Sequence, residues 1–198
     1  TDLAYFPLKN YGAVAANLRG IPVICGGYSS GYSRTCYKFT NGGWQEFASI
    51  NEKRLYAAGI MFENKFHVFG GRDASSILQT SEIISIDGAV EYGPELPEAV
   101  RGHAITSINS TVSLLSGGRT DGTTNSPLTW FFNHETNVFS SGPSLLKGRE
   151  YHGFATVVDK VTKAKIPMVT GGYNGGSMSS TALLINGHWQ SGTFQRKK

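Results

Sequence analysis

The sequence predicts an all-β array of about four repeats, each of four short antiparallel strands, and three features recurring in the same order predict it. Gly-Gly doublets stand at Gly26-Gly27, Gly70-Gly71, Gly117-Gly118 and Gly171-Gly172, spaced 44, 47 and 54 residues apart. A basic residue, one spacer and then Tyr or His precede each doublet: Lys9 and Tyr11, Arg54 and Tyr56, Arg101 and His103, Arg149 and Tyr151. An aromatic residue follows each doublet, Trp44 and Trp189 lying 17 residues beyond its second glycine, Tyr92 and Phe139 lying 21 beyond. Self-similarity at such a period marks repeats that bury their apolar faces against their neighbours.

Each repeat starts with a strand of small residues, as in Gly12-Ala13-Val14-Ala15 and Ala57-Ala58-Gly59-Ile60-Met61-Phe62, which suit a crowded inner position. A β-rich second strand ends at the doublet: Val23-Ile24-Cys25, Phe66-His67-Val68-Phe69, Val112-Ser113-Leu114-Leu115-Ser116 and Met168-Val169-Thr170. The doublet lets the chain leave the strand at positive φ and pass close to another backbone. Strands three and four form a hairpin, for which Asn41-Gly42, Asp87-Gly88 and Asn186-Gly187 supply the preferred turn dipeptides. No segment sustains a helical hydrophobic period over three turns.

The apolar run, Gly-Gly, aromatic strand, Trp and downstream Arg-x-Tyr/His resemble the kelch repeat, over nearly the whole chain. The departures are Tyr92 and Phe139 at positions where that family favours Trp, and an insertion around Asp159 to Lys165. The resemblance implies a kelch-type β-propeller, with residues 1–8 as the outer strand of a preceding blade and blades at 9–53, 54–100, 101–148 and 149–198. Four blades are few for the family. An open propeller would expose strand edges, so the resemblance implies part of a larger propeller or one completed by another chain.

The 198 residues, 39% hydrophobic, suffice for a real core, and 25 glycines without a three-residue period point to many turns rather than collagen. The apolar runs fall far short of a membrane span, so no membrane insertion is expected. Net charge is +4, with much of the excess in Arg196, Lys197 and Lys198. The remaining cations are scattered, and no nucleic-acid partner is expected.

Cys25 and Cys36 end strand two and occupy strand three of one repeat, so they can face one another; the alternatives are one intrablade disulfide or two buried thiols. Asn109-Ser110-Thr111 is a glycosylation sequon at the tip of a hairpin. Pro22-Val23-Ile24-Cys25-Gly26-Gly27 followed by a second Cys resembles secreted invertebrate kelch proteins, which implies a secreted or extracellular location, with a cytoplasmic one as the alternative.

In the kelch architecture the loops between strands two and three share one face with the blade-linking segments, and that face binds. The resemblance therefore implies partner-binding roles for the residues after each doublet, Tyr28, Arg72, Arg119 and Tyr173, which suit interface hot spots. The linking Arg54, Arg101 and Arg149 either hold carboxylates of a partner or tie neighbouring blades together. The five histidines read as packed or solvated, and no metal or other cofactor is expected. The expected function is a non-enzymatic scaffold for a protein or peptide partner, acidic or carbonyl-rich in character. Self-assembly as a matrix component is the alternative. A kelch-type enzyme, an oxidase or sugar isomerase, is a second one: copper-radical oxidation is disfavoured because both Cys are placed to pair with each other, and a sialidase because Ser85-Ile86-Asp87-Gly88 breaks its motif.

Overall fold

Sixteen strands, grouped in four antiparallel four-stranded sheets, and no helix make up the described residues of the computed structural model, which are 4–192. The first sheet holds β1 (Val14–Leu18), β2 (Ile21–Cys25), β3 (Thr35–Thr40) and β4 (Gly43–Ser49) in that order. The second holds β5 (Ala58–Phe62), β6 (Lys65–Phe69), β7 (Ser81–Ile84) and β8 (Val90–Tyr92). The third holds β9 (Ala104–Ser107), β10 (Val112–Ser116), β11 (Thr129–Asn133) and β12 (Val138–Ser141). The fourth holds β13 (Gly153–Val158), β14 (Lys165–Thr170), β15 (Thr181–Ile185) and β16 (His188–Ser191). Each sheet is thus one sequence repeat, and the chain divides into two compact bodies after Arg101.

All eight doublet glycines lie at positive φ, between 57° and 96°. The approach is as close as expected: a Cβ on Gly26 would meet the Arg54 carbonyl oxygen at 2.5 Å, and one on Gly117 would meet that of Arg149 at 2.5 Å. The same contact carries hydrogen bonds, from Gly27 N–H to Arg54 O at 2.8 Å, Gly71 to Val100 O at 2.9 Å and Gly118 to Arg149 O at 2.7 Å. The doublet and the segment opening the next repeat are therefore two sides of one junction.

Trp44, Tyr92, Phe139 and Trp189 all fall on fourth strands, as their spacing predicts. Asn41-Gly42 and Asn186-Gly187 have both residues at positive φ, the requirement of a two-residue primed turn. Asp87-Gly88 differs, because only Gly88 is at positive φ and the turn runs from Ser85 to Ala89, closed by Ser85 N–H to Ala89 O at 2.9 Å. The Asp159–Lys165 insertion is the tip of the β13–β14 hairpin, where Asp159 Oδ1 accepts from the N–H groups of Val161 and Thr162.

In the first body Val14, Leu18, Val23, Cys25, Cys36 and Ile50 pack with Phe66, Val68 and Ile84, so the core lies between sheets one and two. In the second, Leu114, Leu145, Val169, Ala182 and Trp189 form the cluster. Trp189 satisfies its indole N–H on Pro143 O at 2.8 Å. The expected outer strand over residues 1–8 is a correction: residues 4–8 carry no strand, and residues 1–3 lie outside the described residues. Phe6 instead sets its ring edge-on against Tyr37 and Trp44, at 5.3 and 5.1 Å. Arg196, Lys197 and Lys198, with the end of the fourth repeat, also lie outside the described residues.

Candidate functional site

Backbone bridges hold the residue after each doublet, from two sides in three repeats and from one side in the third repeat. Tyr28 pairs with Tyr11 and Tyr32, Arg72 with Leu55 and Ile77, and Tyr173 with Glu150 and Ser177, while Arg119 pairs with Asn125. A loop that would otherwise be free is thereby fixed in position on the sheet end.

In the first body these loops gather aromatic rings. Tyr28 lies 5.5 Å from Tyr11 and 5.2 Å, edge-on, from Tyr32, while Tyr56 lies 6.2 Å from Tyr11. Arg72 sets its guanidinium over the Tyr32 ring at 5.8 Å, within cation–π range. Tyr11 is 53% exposed, and the other members are half-buried. Desolvation, then repulsion from Tyr56, Tyr28 and Tyr32, pushes the Tyr11 hydroxyl pKa up, so it stays a neutral hydrogen-bonding group at physiological pH.

In the second body the corresponding positions are tied to each other. Arg119 Nε pairs with Glu150 at 3.3 Å and donates to Asn125 Oδ1 at 3.1 Å, and its Nη1 donates to Gly122 O at 3.2 Å. Asn125 Nδ2 in turn donates to Tyr173 O at 2.7 Å, and the Tyr173 side chain is exposed.

The blade-linking arginines part company. Arg54 is 1% exposed. Its Nε donates to Glu82 at 3.0 Å, Nη1 to the carbonyls of Gly70 and Thr80 at 2.8 and 2.9 Å, and Nη2 to Glu52 and Thr80 Oγ1 at 2.7 and 2.9 Å. Arg149 is 2% exposed and donates Nη1 to Gly171 O and Ser180 O, and Nη2 to Ser180 Oγ. Burial holds its pKa below the ordinary value. These two sites are corrections to the partner-binding reading, because their guanidinium groups face inward and are spent on their own repeats.

Arg101 is out of register with them. Gly12, Tyr56, Gly102 and Tyr151 take equivalent positive-φ positions two residues before the first strand, with Tyr56 N–H donating to Gly12 O and Tyr151 N–H to Gly102 O, both at 2.8 Å. The residues two before them are Asn10, Arg54, Val100 and Arg149. Three of these reach the carbonyl of the first doublet glycine, with Asn10 Nδ2 donating to Gly26 O at 3.0 Å, and the third repeat places buried Val100 there. Arg101 itself is half-buried.

Cys25 and Cys36 are directly opposed in the β2–β3 register and joined by a disulfide. The equivalent pair in the fourth sheet, Thr170 and Thr181, is joined by a hydroxyl–hydroxyl bond of 2.9 Å. Asn109 is exposed in the β9–β10 turn, where its Oδ1 accepts from the N–H groups of Thr111 and Val112 at 2.9 and 2.7 Å. His103 and His152 are buried, and desolvation, with repulsion from His152 and from Arg149 respectively, lowers their pKa values to about 3 and about 4. No group of three or more metal-ligating side chains converges among the described residues, and no helix there is long and apolar enough to cross a membrane.

The solved structure "Structure of YjhT" superposes with a TM-score of 0.83 at 13% identity, over 99% of this chain and 74% of that one. The fold is a β-propeller. No family model matches the chain. Spermatocyte protein spe-26 of Caenorhabditis elegans is 32% identical over 108 residues, which is 54% of this chain and 18% of that protein. The chain thus spans under a fifth of the length of this curated relative.

Sequence reasoning missed three residues of consequence. Glu82, fully buried on the blade strand β7, accepts from Arg54 and from the N–H groups of Asn51 and Glu52 at 2.5 and 3.1 Å. The only signal was an acid inside an otherwise apolar run, Ser81-Glu82-Ile83-Ile84. Arg34 and Lys53 line one cleft although 19 residues separate them, and no local pattern announces that.

Proposed function

We propose that this propeller is a non-enzymatic protein-interaction module of kelch type, which receives a protein or peptide partner on the loops that follow the Gly-Gly doublets. The observation that carries this reading is the cluster of Tyr11, Tyr28, Tyr32 and Tyr56 with Arg72 over it, held on a rigid blade end. Tyrosine and arginine give large contact area at low conformational cost, together with directed hydrogen bonds. Of the other residues expected on this face, Tyr173 is exposed, Arg101 is half-buried and Arg119 is held by Glu150 and Asn125, whereas Arg54 and Arg149 serve the fold. A propeller alone does not imply this function, since unrelated activities share the fold; the reading rests on the residues.

Selection of peptides from a displayed random library against the whole chain tests it. The expected result is a family of ligands whose affinity falls about 30-fold, equivalent to roughly 2 kcal/mol, on Tyr32→Ala or Tyr28→Ala, with the melting temperature unchanged. Ligands insensitive to every one of these tyrosines would place the binding surface elsewhere and sink the reading.

The same reading puts the protein outside the reducing cytosol, on the support of the Cys25–Cys36 disulfide and the exposed Asn109 sequon. The Asn109 amide nitrogen is then the glycan acceptor, its Oδ1 being the atom that closes the turn. Intact mass of naturally produced protein is expected to show an oxidised, glycosylated chain. Two free thiols with bare Asn109 would contradict the location.

A further inference from the structure

In the first body the β2–β3 loop, with Lys53 of the β4–β5 connection and Leu8, lines an open cleft of about 350 Å3. Backbone hydrogen bonds tie the connection to the loop, with Ile50 N–H donating to Arg34 O at 2.9 Å and Arg54 N–H to Ser33 O at 3.1 Å, while Ser33 N–H closes the loop on Gly27 O at 2.9 Å. These bonds bring Arg34 and Lys53 to the same cleft, which also presents Ser29, Ser30, Tyr32 and Thr35.

The charge there is unbalanced. No carboxylate lines the cleft, and Arg34 and Lys53 make no ion pair among the described residues. The neighbouring acid in sequence, Glu52, is turned away to Arg54 and Thr80. The hydroxyls of Ser29, Ser30 and Thr35 likewise have no intramolecular partner among the described residues, while Ser33 Oγ is occupied by Thr35 N–H at 3.1 Å. Both cations are exposed to solvent and uncommitted to any counter-charge among the described residues, so both are available to an anion that enters the cleft.

We propose that this cleft binds a tetrahedral oxyanion, a phosphate or sulfate group carried as a monoester or free. A planar carboxylate brings one charge and two oxygens. A phosphate or sulfate group brings three or four oxygens around a centre, which can meet the guanidinium fork, the ammonium and the hydroxyl donors at once. The cleft is larger than the ion, so it has room for the group that bears it. This site does not rest on the tyrosine surface or on protein binding.

Amide shifts of Ser29 to Thr35 in the 15N-labelled chain, followed while inorganic phosphate, sulfate or acetate is added at constant ionic strength, test the proposal. Saturable shifts are expected with phosphate and sulfate, with acetate at least ten-fold weaker and with binding lost in the Arg34→Gln/Lys53→Gln double variant. Both side chains are exposed, and an unchanged melting curve checks that the variant folds. O-phosphoserine binding more tightly than inorganic phosphate assigns an ester as the natural ligand, and equal binding assigns the free ion. Acetate matching phosphate, shifts that fail to saturate, or a double variant that binds as well as the parent would each overturn the site.

Discussion

The loops after the doublets stand on the same backbone frame in both bodies, yet their side chains are used differently. In the first body Tyr28, Tyr32 and Arg72 form an aromatic and cationic ledge, beside a cleft whose two cations have no counter-ion among the described residues. In the second, Arg119 is neutralised by Glu150 and Asn125 is tied to Tyr173. A repeat fixes where a side chain stands, not what it is spent on. Neutralised loops hold a fold, and uncommitted ones are available to a partner.

The inward arginines offer the largest test of that distinction. Arg54 is paired with buried Glu82, so Arg54→Ala strands a carboxylate in the core and is expected to cost about 3–5 kcal/mol. Arg149 contacts only carbonyls and a hydroxyl among the contacts described, and Arg149→Ala should cost about 1–3 kcal/mol. Urea melts of the two variants check the order. Equal losses would mean that Glu82 is not the reason Arg54 matters.

A smaller effect comes from the pair that is covalent in one blade and hydrogen-bonded in another. Closing the loop between Cys25 and Cys36, whose sequence separation is 11, contributes about 3 kcal/mol in the chain-entropy account. Cys25→Ser/Cys36→Ser should therefore lower stability by about that much, while Thr170→Ala/Thr181→Ala, at the equivalent exposed position, should cost no more than about 1 kcal/mol. A denaturation midpoint unmoved by the serine pair would remove the staple from the account.

The weakest effect at neutral pH, and a growing one in acid, belongs to the histidines of the second body. The folded pKa values of His103 and His152, about 3 and about 4, lie below the ordinary 6.5, so the unfolded chain binds more protons as pH falls. Stability is then unaffected above about pH 6.5 and declines between there and about pH 3, the lower of the two folded values. NMR titration of the imidazole carbons should show both rings neutral at pH 5. Midpoints near 6.5 would contradict their burial.

Much of this was legible from local chemistry. The doublets, the second strands and the fourth-strand aromatics were read in place, because positive φ and short-range turn preferences are written in adjacent residues. The Arg-x-aromatic feature was read one residue out of register in two repeats. Glycine at position 12 or 102 and tyrosine at 56 or 151 fill the same positive-φ slot, so the aromatic does not mark it. Asp87-Gly88 misled for a similar reason, since one dipeptide serves turns of different length. Burial of Arg54 follows from Glu82, 28 residues away, and the Arg34–Lys53 cleft from bonds between segments. Neither leaves a periodic trace.

The central claim is that the first body's tyrosine ledge is the receiving surface. Mapping amide shifts in the whole labelled chain on addition of a selected peptide ligand tests it most directly. The account predicts perturbations concentrated at Tyr11, Tyr28, Tyr32, Tyr56 and Arg72, with the β3–β4 and β7–β8 hairpins unmoved. Shifts confined to those outer hairpins, with the tyrosines silent, would contradict it.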